Sequence, residues 1–196
     1  QGEEIGMVNA GYASIDDYRD VESHNAYRAL VEAGSTPAEA LHVVGERSRD
    51  NGRTPMQWTD APGAGFTAGE PWLAIPPSSA LVNVAAEKGR PGSILEFYRE
   101  LVRLRHELAV IADGRVRFID PGEGAPRAIM FERWLEGEAA RDAADAGAPV
   151  RLLTVCSFDE GASSVDLPDA WRSAEQLIGN YGDVRQCGGT LALRPF

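Results

Sequence analysis

The chain has 196 residues, of which 43% are hydrophobic and 25% are charged, and its formal net charge is −11. This charge argues against a nucleic-acid partner and against an anionic membrane surface, because binding to phosphates requires clustered Lys and Arg. A neutral ligand such as a sugar is compatible with it. No apolar run approaches the ~20 residues that a membrane-spanning helix needs.

The first half of the chain is predicted to consist of helices and loops. Apolar residues at helical spacing predict a helix over residues 16–33. A second helix is predicted to begin at the capping box TPAE, residues 36–39, and to run toward Asp50. Residues 51–90 are rich in Pro and Gly and predict a long irregular loop, a feature that is usually functional. A third helix is predicted over 93–108, capped by its first residue, a serine.

The second half of the chain is predicted to be mostly β-structure. Short strand-like runs separated by turn residues indicate an antiparallel sandwich, with strands at 116–119, 128–135, 150–158, 164–167, 175–178 and 190–193. The Ala- and Gly-rich stretch 136–149 is predicted to be a hairpin loop. Because the helical period gives way to the strand period near Val110, the predicted domains are 1–109 and 110–196.

The cysteines and histidines give no metal signature. Cys156 and Cys187 form neither a CxxC motif nor a metal-ligand spacing, and the three histidines lack ligand spacing as well. The sequence therefore predicts no metal site and no cofactor. Free cysteines are usually buried, so we expect both side chains to be buried and the location to be reducing and cytoplasmic. The first residues carry no initiator Met, so the chain is expected to begin inside a longer protein.

The segment DNGRTPMQW, residues 50–58, concentrates the side chains that suit sugar recognition. Arg53 offers five donors in a planar fork, and Asn51 and Gln57 offer both donors and acceptors. Trp58 adds an aromatic face, which complements the apolar C–H face of a pyranose. The alternative from residue types alone is that Arg53 forms an internal ion pair and that Trp58 belongs to the core.

The hexapeptide Arg53–Trp58 closely resembles the RTPMQW signature of α-glucosidases and oligo-1,6-glucosidases in the α-amylase superfamily, glycoside hydrolase family 13. Further segments resemble this family in the same order along the chain: QGEEIGM at 1–7, DDYRDVES at 16–23, AGFT at 64–67 with PW at 71–72, and SILEFY with the following helix at 93–105. Residues 110–196 resemble the family only loosely.

The resemblance implies an α+β fragment: the last loop and helix region of a (β/α)8 TIM barrel, followed by a C-terminal antiparallel β-sandwich domain. Retaining glycosidases use a carboxylate nucleophile and a carboxylic general acid ~5 Å apart. In this family those groups, and a further aspartate that fixes the sugar, lie upstream of the segments matched here. We therefore assign no catalytic residue to this chain, and expect it to be inactive alone. A calcium site would also lie upstream.

Two substrate-binding residues are implied by the resemblance. Arg53 matches an arginine that binds the non-reducing glucose, which suits an exo-acting enzyme. Glu22 matches a position near the neighbouring subsite, although an exposed helix carboxylate is an equal alternative. Tyr12, Phe66 and Trp72 could line the pocket mouth, but core packing is the expectation for all three.

The function implied is hydrolysis of terminal, non-reducing α-glucosidic bonds in short oligosaccharides, with α-1,6 bonds favoured. The oligosaccharide substrate is the expected partner, bound together with the rest of the barrel. Two alternatives within the superfamily are a trehalose-6-phosphate hydrolase and a trehalose synthase. A third alternative is a non-catalytic carbohydrate-binding or structural module.

Overall fold

A computed structural model describes residues 1–182 and 185–195. The chain divides into two compact units, Gln1–Arg99 and Glu100–Phe196. The first unit is helical and irregular, and the second contains all of the described β-strands.

The helices are α1 (Val21–Glu32), α2 (Pro37–Arg47), the short α3 (Val84–Glu87), α4 (Ile94–Glu107), α5 (Ala109–Ala112) and α6 (Gly137–Asp145). Helices α1 and α2 pack against each other in the first unit. Helix α4 contains the position at which the two units are divided. None of the helices in the described ranges is long and apolar enough to cross a membrane.

Helix α1 starts later than the predicted residue 16. Ser14 caps a separate 3-10 turn at Ile15–Asp17, and its backbone N–H donates to the Asp17 carboxylate in a capping box. The chain is then extended at Tyr18 and at Asp20, the residue before α1. The sequence prediction extended the helix back to residue 16 because Tyr18 lies at helical spacing from the apolar residues of α1.

Helix α2 begins as predicted. The Thr36 side chain accepts a hydrogen bond from the Glu39 N–H at 3.3 Å, and the Glu39 carboxylate accepts one from the Thr36 N–H at 2.8 Å. Pro37 occupies the first turn, where its missing N–H costs nothing. Ser93 caps α4 in the same manner by accepting from the Glu96 N–H at 3.3 Å.

The long segment between α2 and α4 is irregular as predicted, apart from 3-10 turns and the short helix α3. A turn at Pro62–Gly65 folds back on the preceding chain, where the Ala64 carbonyl accepts the N–H groups of Trp58 at 2.9 Å and Thr59 at 3.1 Å. Ala64 has a φ of 51°, a left-handed conformation that side chains other than glycine seldom adopt. The turn therefore fixes the backbone just after the RTPMQW segment.

The second unit contains two three-stranded antiparallel sheets. One has the order β1 (Arg115–Ile119), β2 (Ala128–Trp134) and β3 (Arg151–Ser157). The other has the order β4–β6–β5, formed by β4 (Ser163–Asp166), β5 (Arg185–Cys187) and β6 (Thr190–Leu193). The predicted antiparallel character of this half is confirmed.

Both sheets contribute to one apolar cluster in the second unit. Ala125, Val165 and Leu167 are its buried centre. Side chains from β2, β3 and β6 pack against this centre, together with a tryptophan: Ala128, Leu153, Val155, Leu191, Leu193 and Trp171. Full burial of a side chain such as Val165 or Leu167 contributes roughly 1.5–3 kcal/mol to folding.

Three predictions for the second unit are wrong. Residues 137–145 form helix α6 and not a loop, because Ala, Glu and Arg are strong helix formers. Residues 175–178 form no strand, and the sheet that contains β6 consists of β4, β6 and β5. Cys156 and Cys187 are exposed and not buried, and the first lies on β3 with its side chain outward.

Candidate functional site

The candidate site is built on the turn that follows α2. Ser48 is extended, and its hydroxyl accepts the Asp50 N–H at 3.1 Å, which starts a 3-10 turn at Arg49–Gly52. The Arg53 N–H closes this turn by donating to the Asp50 carbonyl at 2.9 Å. The backbone that carries Arg53 is therefore fixed by local hydrogen bonds.

Asp50 joins this turn to the start of α1. Its carboxylate is fully buried, and Oδ2 accepts the backbone N–H groups of Arg19 at 2.7 Å and Asp20 at 2.9 Å. Its other oxygen, Oδ1, accepts no hydrogen bond within the described residues and lies 3.7 Å from Nη1 of Arg53.

Asp20 forms a tight ion pair with Arg49. Nη2 of Arg49 donates to Oδ1 at 2.6 Å and Nε donates to Oδ2 at 3.1 Å, the two-pronged geometry that makes strong charge-assisted bonds. The Arg49 guanidinium holds the pKa of Asp20 below its usual range, even though burial acts in the opposite direction. Arg49 also lies 3.4 Å from the Glu22 carboxylate, which is 72% exposed.

Arg53 differs from Arg49 because its donors are not used. Its side chain is 44% exposed, and Nη1 lies 4.0 Å from Oδ1 of Asp20 and 3.7 Å from Oδ1 of Asp50. Both distances exceed the 2.7–3.2 Å of an N–H···O hydrogen bond. Over residues 1–182 and 185–195, no hydrogen bond from the Arg53 guanidinium is found.

The two residues predicted to bind substrate belong to one charged cluster but do not touch. Arg53 lies near Asp20, Asp20 pairs with Arg49, and Arg49 reaches Glu22. A groove between α1 and α2 is lined at its polar end by Asp20, Glu22 and Arg49.

Among the other side chains of residues 50–58, Asn51 and Gln57 form hydrogen bonds within the fold, whereas Trp58 is exposed. Asn51 donates to the Gly45 carbonyl at 2.7 Å and accepts the Ala10 N–H at 3.1 Å, so it joins α2 to the N-terminal segment. Gln57 is fully buried and donates to Ser78 at 3.2 Å. Trp58 is 48% exposed and does not belong to the core.

Three aromatic residues were predicted to pack in the core, and none is fully buried, although Tyr12 is partly buried. The Tyr12 ring packs edge-on against Tyr18 with centroids 5.1 Å apart, and its hydroxyl donates to the Ala74 carbonyl. Burial, followed by the nearby Asp50 charge, raises the pKa of Tyr12 to about 12. Phe66 and Trp72 are exposed, which contradicts the core assignment.

Sequence reasoning missed Asp20, Arg49 and Asp50 as members of the site. Asp20 lies in the segment 16–23 that carries the family resemblance, and Asp50 lies just before the RTPMQW hexapeptide, but carboxylates in an acidic chain are most often solvated. The signal that was available is the i,i+3 spacing of Asp50 and Arg53 across a helix end. No cluster of metal-ligating side chains is present among the residues that the structure describes.

Comparison with known proteins establishes the family. Residues 1–114 match the family described as Alpha amylase, catalytic domain. The chain belongs to the α-amylase family. It is 38% identical over 200 residues to an oligo-1,6-glucosidase of Parageobacillus thermoglucosidasius, and 42% identical over 196 residues to a trehalose-6-phosphate hydrolase of Escherichia coli. These alignments cover 100% of this chain and 33% of each relative, so the chain spans about a third of their length.

Solved structures agree with this assignment. A trehalose-6-phosphate hydrolase of Bacillus licheniformis superposes with a TM-score of 0.83 at 34% identity, covering 100% of this chain and 34% of that one. A trehalulose synthase of Pseudomonas mesoacidophila MX-45 superposes with a TM-score of 0.81 at 35% identity, over 100% of this chain and 33% of that one. The known relatives therefore include enzymes with different reactions on glucosides.

Proposed function

We propose that this chain is the C-terminal part of a retaining α-glucosidase that hydrolyses terminal, non-reducing α-glucosidic bonds of short oligosaccharides, with α-1,6 bonds favoured. Residues 1–109 would complete a (β/α)8 barrel, and residues 110–196 would form the antiparallel domain that follows the barrel. The observation that carries the proposal is the half-exposed Arg53 guanidinium, which is held beside two buried carboxylates with its donors unused.

Arg53 would donate hydrogen bonds to hydroxyl groups of the terminal glucose. A guanidinium presents several donors in one plane, so it can engage neighbouring hydroxyls with little loss of side-chain freedom. Because this contact would close the end of the pocket, it fits an enzyme that removes single glucose units. Glu22 would lie toward the next sugar, where its exposed carboxylate can accept hydrogen bonds.

The two reacting carboxylates would come from the segment of the parent that precedes these residues. The 196 residues alone should therefore release no nitrophenol from p-nitrophenyl α-glucoside above an unrelated control protein. Release of nitrophenol by the pure chain would contradict this assignment.

A chimera tests the function itself. Residues 1–196 would replace the matching segment of the Parageobacillus thermoglucosidasius oligo-1,6-glucosidase, and hydrolysis of isomaltose would be measured. We expect a folded chimera to hydrolyse isomaltose, with the unmodified relative as the positive control. A folded but inactive chimera would favour a non-catalytic carbohydrate-binding module, which calorimetric titration of the chain with isomaltose would then detect.

Trehalose-6-phosphate hydrolysis is the second candidate, favoured by the 42% identity to the Escherichia coli enzyme. A second chimera, built on that enzyme, separates the candidates. The α-1,6-glucosidase proposal predicts that the isomaltose chimera retains the larger fraction of its parent's kcat/KM. The reverse order would favour the phosphorylated substrate.

A further inference from the structure

We propose that Asp50 is a positioning residue that holds the Arg53 guanidinium in place by charge while leaving its donors free for the sugar. The inference rests on the proposed role of Arg53 as a substrate-binding residue. It adds a function for a buried carboxylate that the family resemblance did not assign.

The two oxygens of Asp50 have different surroundings. Oδ2 is saturated by two backbone N–H groups, so the carboxylate cannot rotate without breaking the link to the start of α1. Oδ1 is buried and accepts no hydrogen bond among the described residues. A buried charged oxygen without a donor is unfavourable, and a nearby positive charge offsets this cost.

Nη1 of Arg53 lies 3.7 Å from that oxygen, within ion-pair distance. If its guanidinium swung into solvent, Oδ1 would lose the cation that lies at ion-pair distance, and the more distant charge of Arg49 would remain. The cost of a buried charge without a nearby cation therefore favours Arg53 conformers in which the guanidinium stays close to Oδ1 of Asp50. Because the contact is longer than a hydrogen bond, it consumes none of the arginine's N–H groups.

The neighbouring Asp20 cannot perform this task to the same extent. Both of its oxygens accept hydrogen bonds from Arg49, and it lies 4.0 Å from Nη1 of Arg53. Arg49 thus neutralises Asp20, and Asp50 is left to act on Arg53.

A double-mutant cycle in the isomaltose-hydrolysing chimera tests the proposal. In Asp50→Asn the amide oxygen can still accept the two backbone N–H groups, while an NH2 group replaces the charged Oδ1. We expect kcat/KM to fall about 5- to 20-fold through misplacement of Arg53. In the Arg53→Ala background the same change should alter kcat/KM by less than about twofold, because a positioning residue acts only through its partner.

The control is Glu132→Gln, which also converts a buried carboxylate into an amide but lies in the second unit. It should lower the Tm and leave kcat/KM of the folded chimera unchanged. A purely structural role for Asp50 would reduce kcat/KM by the same factor with and without Arg53, and this result would overturn the inference while leaving the proposed function intact. Normal kinetics in a folded Arg53→Ala chimera would overturn both.

If Asp50→Asn does not fold, the Tm of the Arg53→Ala chimera tests the inference instead. Loss of the guanidinium removes the cation at ion-pair distance from Oδ1, so the Tm should fall by about 2–4 °C in addition to the kinetic loss. An unchanged Tm, at a lowered kcat/KM, would show that Asp50 does not depend on Arg53 and would overturn the inference alone.

Discussion

Asp50 in the first unit and Glu132 in the second are buried carboxylates, and arginines approach them in different ways. In the second unit, Oε1 of Glu132 accepts from Arg151 at 2.7 Å and Oε2 accepts from Arg117 at 3.1 Å, so both oxygens are satisfied. In the first unit, one oxygen of Asp50 accepts no hydrogen bond in the described structure, and Arg53 stays at ion-pair distance. We expect the arginines of Glu132 to stabilise the fold, and the proposal assigns Asp50 the role of keeping an arginine available for a ligand.

The largest expected effect is the loss of Arg53, because it removes the available donors. In the chimera, Arg53→Ala should lower kcat/KM by about 10- to 150-fold, since a hydrogen bond to a charged donor is worth ~1.5–3 kcal/mol. Arg53→Lys should restore only part of this loss, because an ammonium is not a planar fork. The steady-state measurement with isomaltose should show kcat falling as well as affinity.

The matched control is Arg151→Ala, which removes an arginine from the saturated pair. It should lower the Tm and leave kcat/KM of the folded protein unchanged. If both alanine variants changed only the Tm, the distinction between the two pairs would fail and Arg53 would be a structural residue.

Removal of the saturated carboxylate should reduce stability without a kinetic effect. Glu132→Ala leaves Arg117 and Arg151 without their shared acceptor, but both are partly exposed and can be hydrated. We therefore expect a loss of about 1–3 kcal/mol of unfolding free energy. Urea unfolding of the 196-residue chain measures it, and Glu123→Ala, at an exposed turn position, provides the control.

The pH dependence of the unfolding free energy should include a contribution from Glu132, whose two oxygens both accept hydrogen bonds from arginines. Burial raises the pKa of Glu132, but the hydrogen bonds and charges of Arg151 and Arg117 outweigh it, so the net pKa is lowered on folding. The unfolded chain then binds this proton more tightly than the folded chain does. The stabilisation is present above the unfolded value of ~4.3 and is lost as the pH falls through the lower folded pKa.

Glu132→Gln should remove this contribution. Between pH 7 and pH 3 the variant should lose less unfolding free energy than the unmodified chain, as measured by urea unfolding at each pH. If the unfolding free energies of the variant and the unmodified chain changed in parallel with pH, the arginines would not stabilise the ionised form of Glu132.

The smallest expected effect comes from the capping box of α2, which touches neither pair. Thr36→Ala should cost about 1 kcal/mol of stability, while Thr36→Ser keeps the hydroxyl acceptor and should cost less. Thermal unfolding followed by circular dichroism measures both. A change in kcat/KM of the chimera would mean that the α2 terminus also controls the Arg53 turn.

The sequence predicted the parts of the fold that depend on local pattern. The cap at Thr36, the helix from Ile94 and the strand at 190–193 follow from residues within a few positions of one another. Helix α6 was missed because an Ala- and Gly-rich composition was given more weight than helix propensity. The absence of a strand at 175–178 depends on which neighbours pair with β6, a nonlocal property.

The substrate-binding roles of Arg53 and Glu22 stay predictions, but the contacts around them are now described. The resemblance pointed to Arg53 and Glu22, but residue types cannot show which carboxylate oxygens already accept hydrogen bonds. That property depends on the backbone N–H groups of residues 19 and 20, which lie about thirty positions from Asp50 in the sequence. Only the folded arrangement distinguishes Arg49, whose donors are used, from Arg53, whose donors are free.

The most direct test is a crystal structure of the chimera with glucose bound at the end of its pocket. The account predicts that a guanidinium nitrogen of Arg53 lies within ~3.2 Å of a sugar hydroxyl, while Oδ1 of Asp50 remains near Nη1 without a donor of its own. A bound glucose that makes no contact with Arg53, with the guanidinium hydrogen-bonded to Asp50 instead, would contradict it.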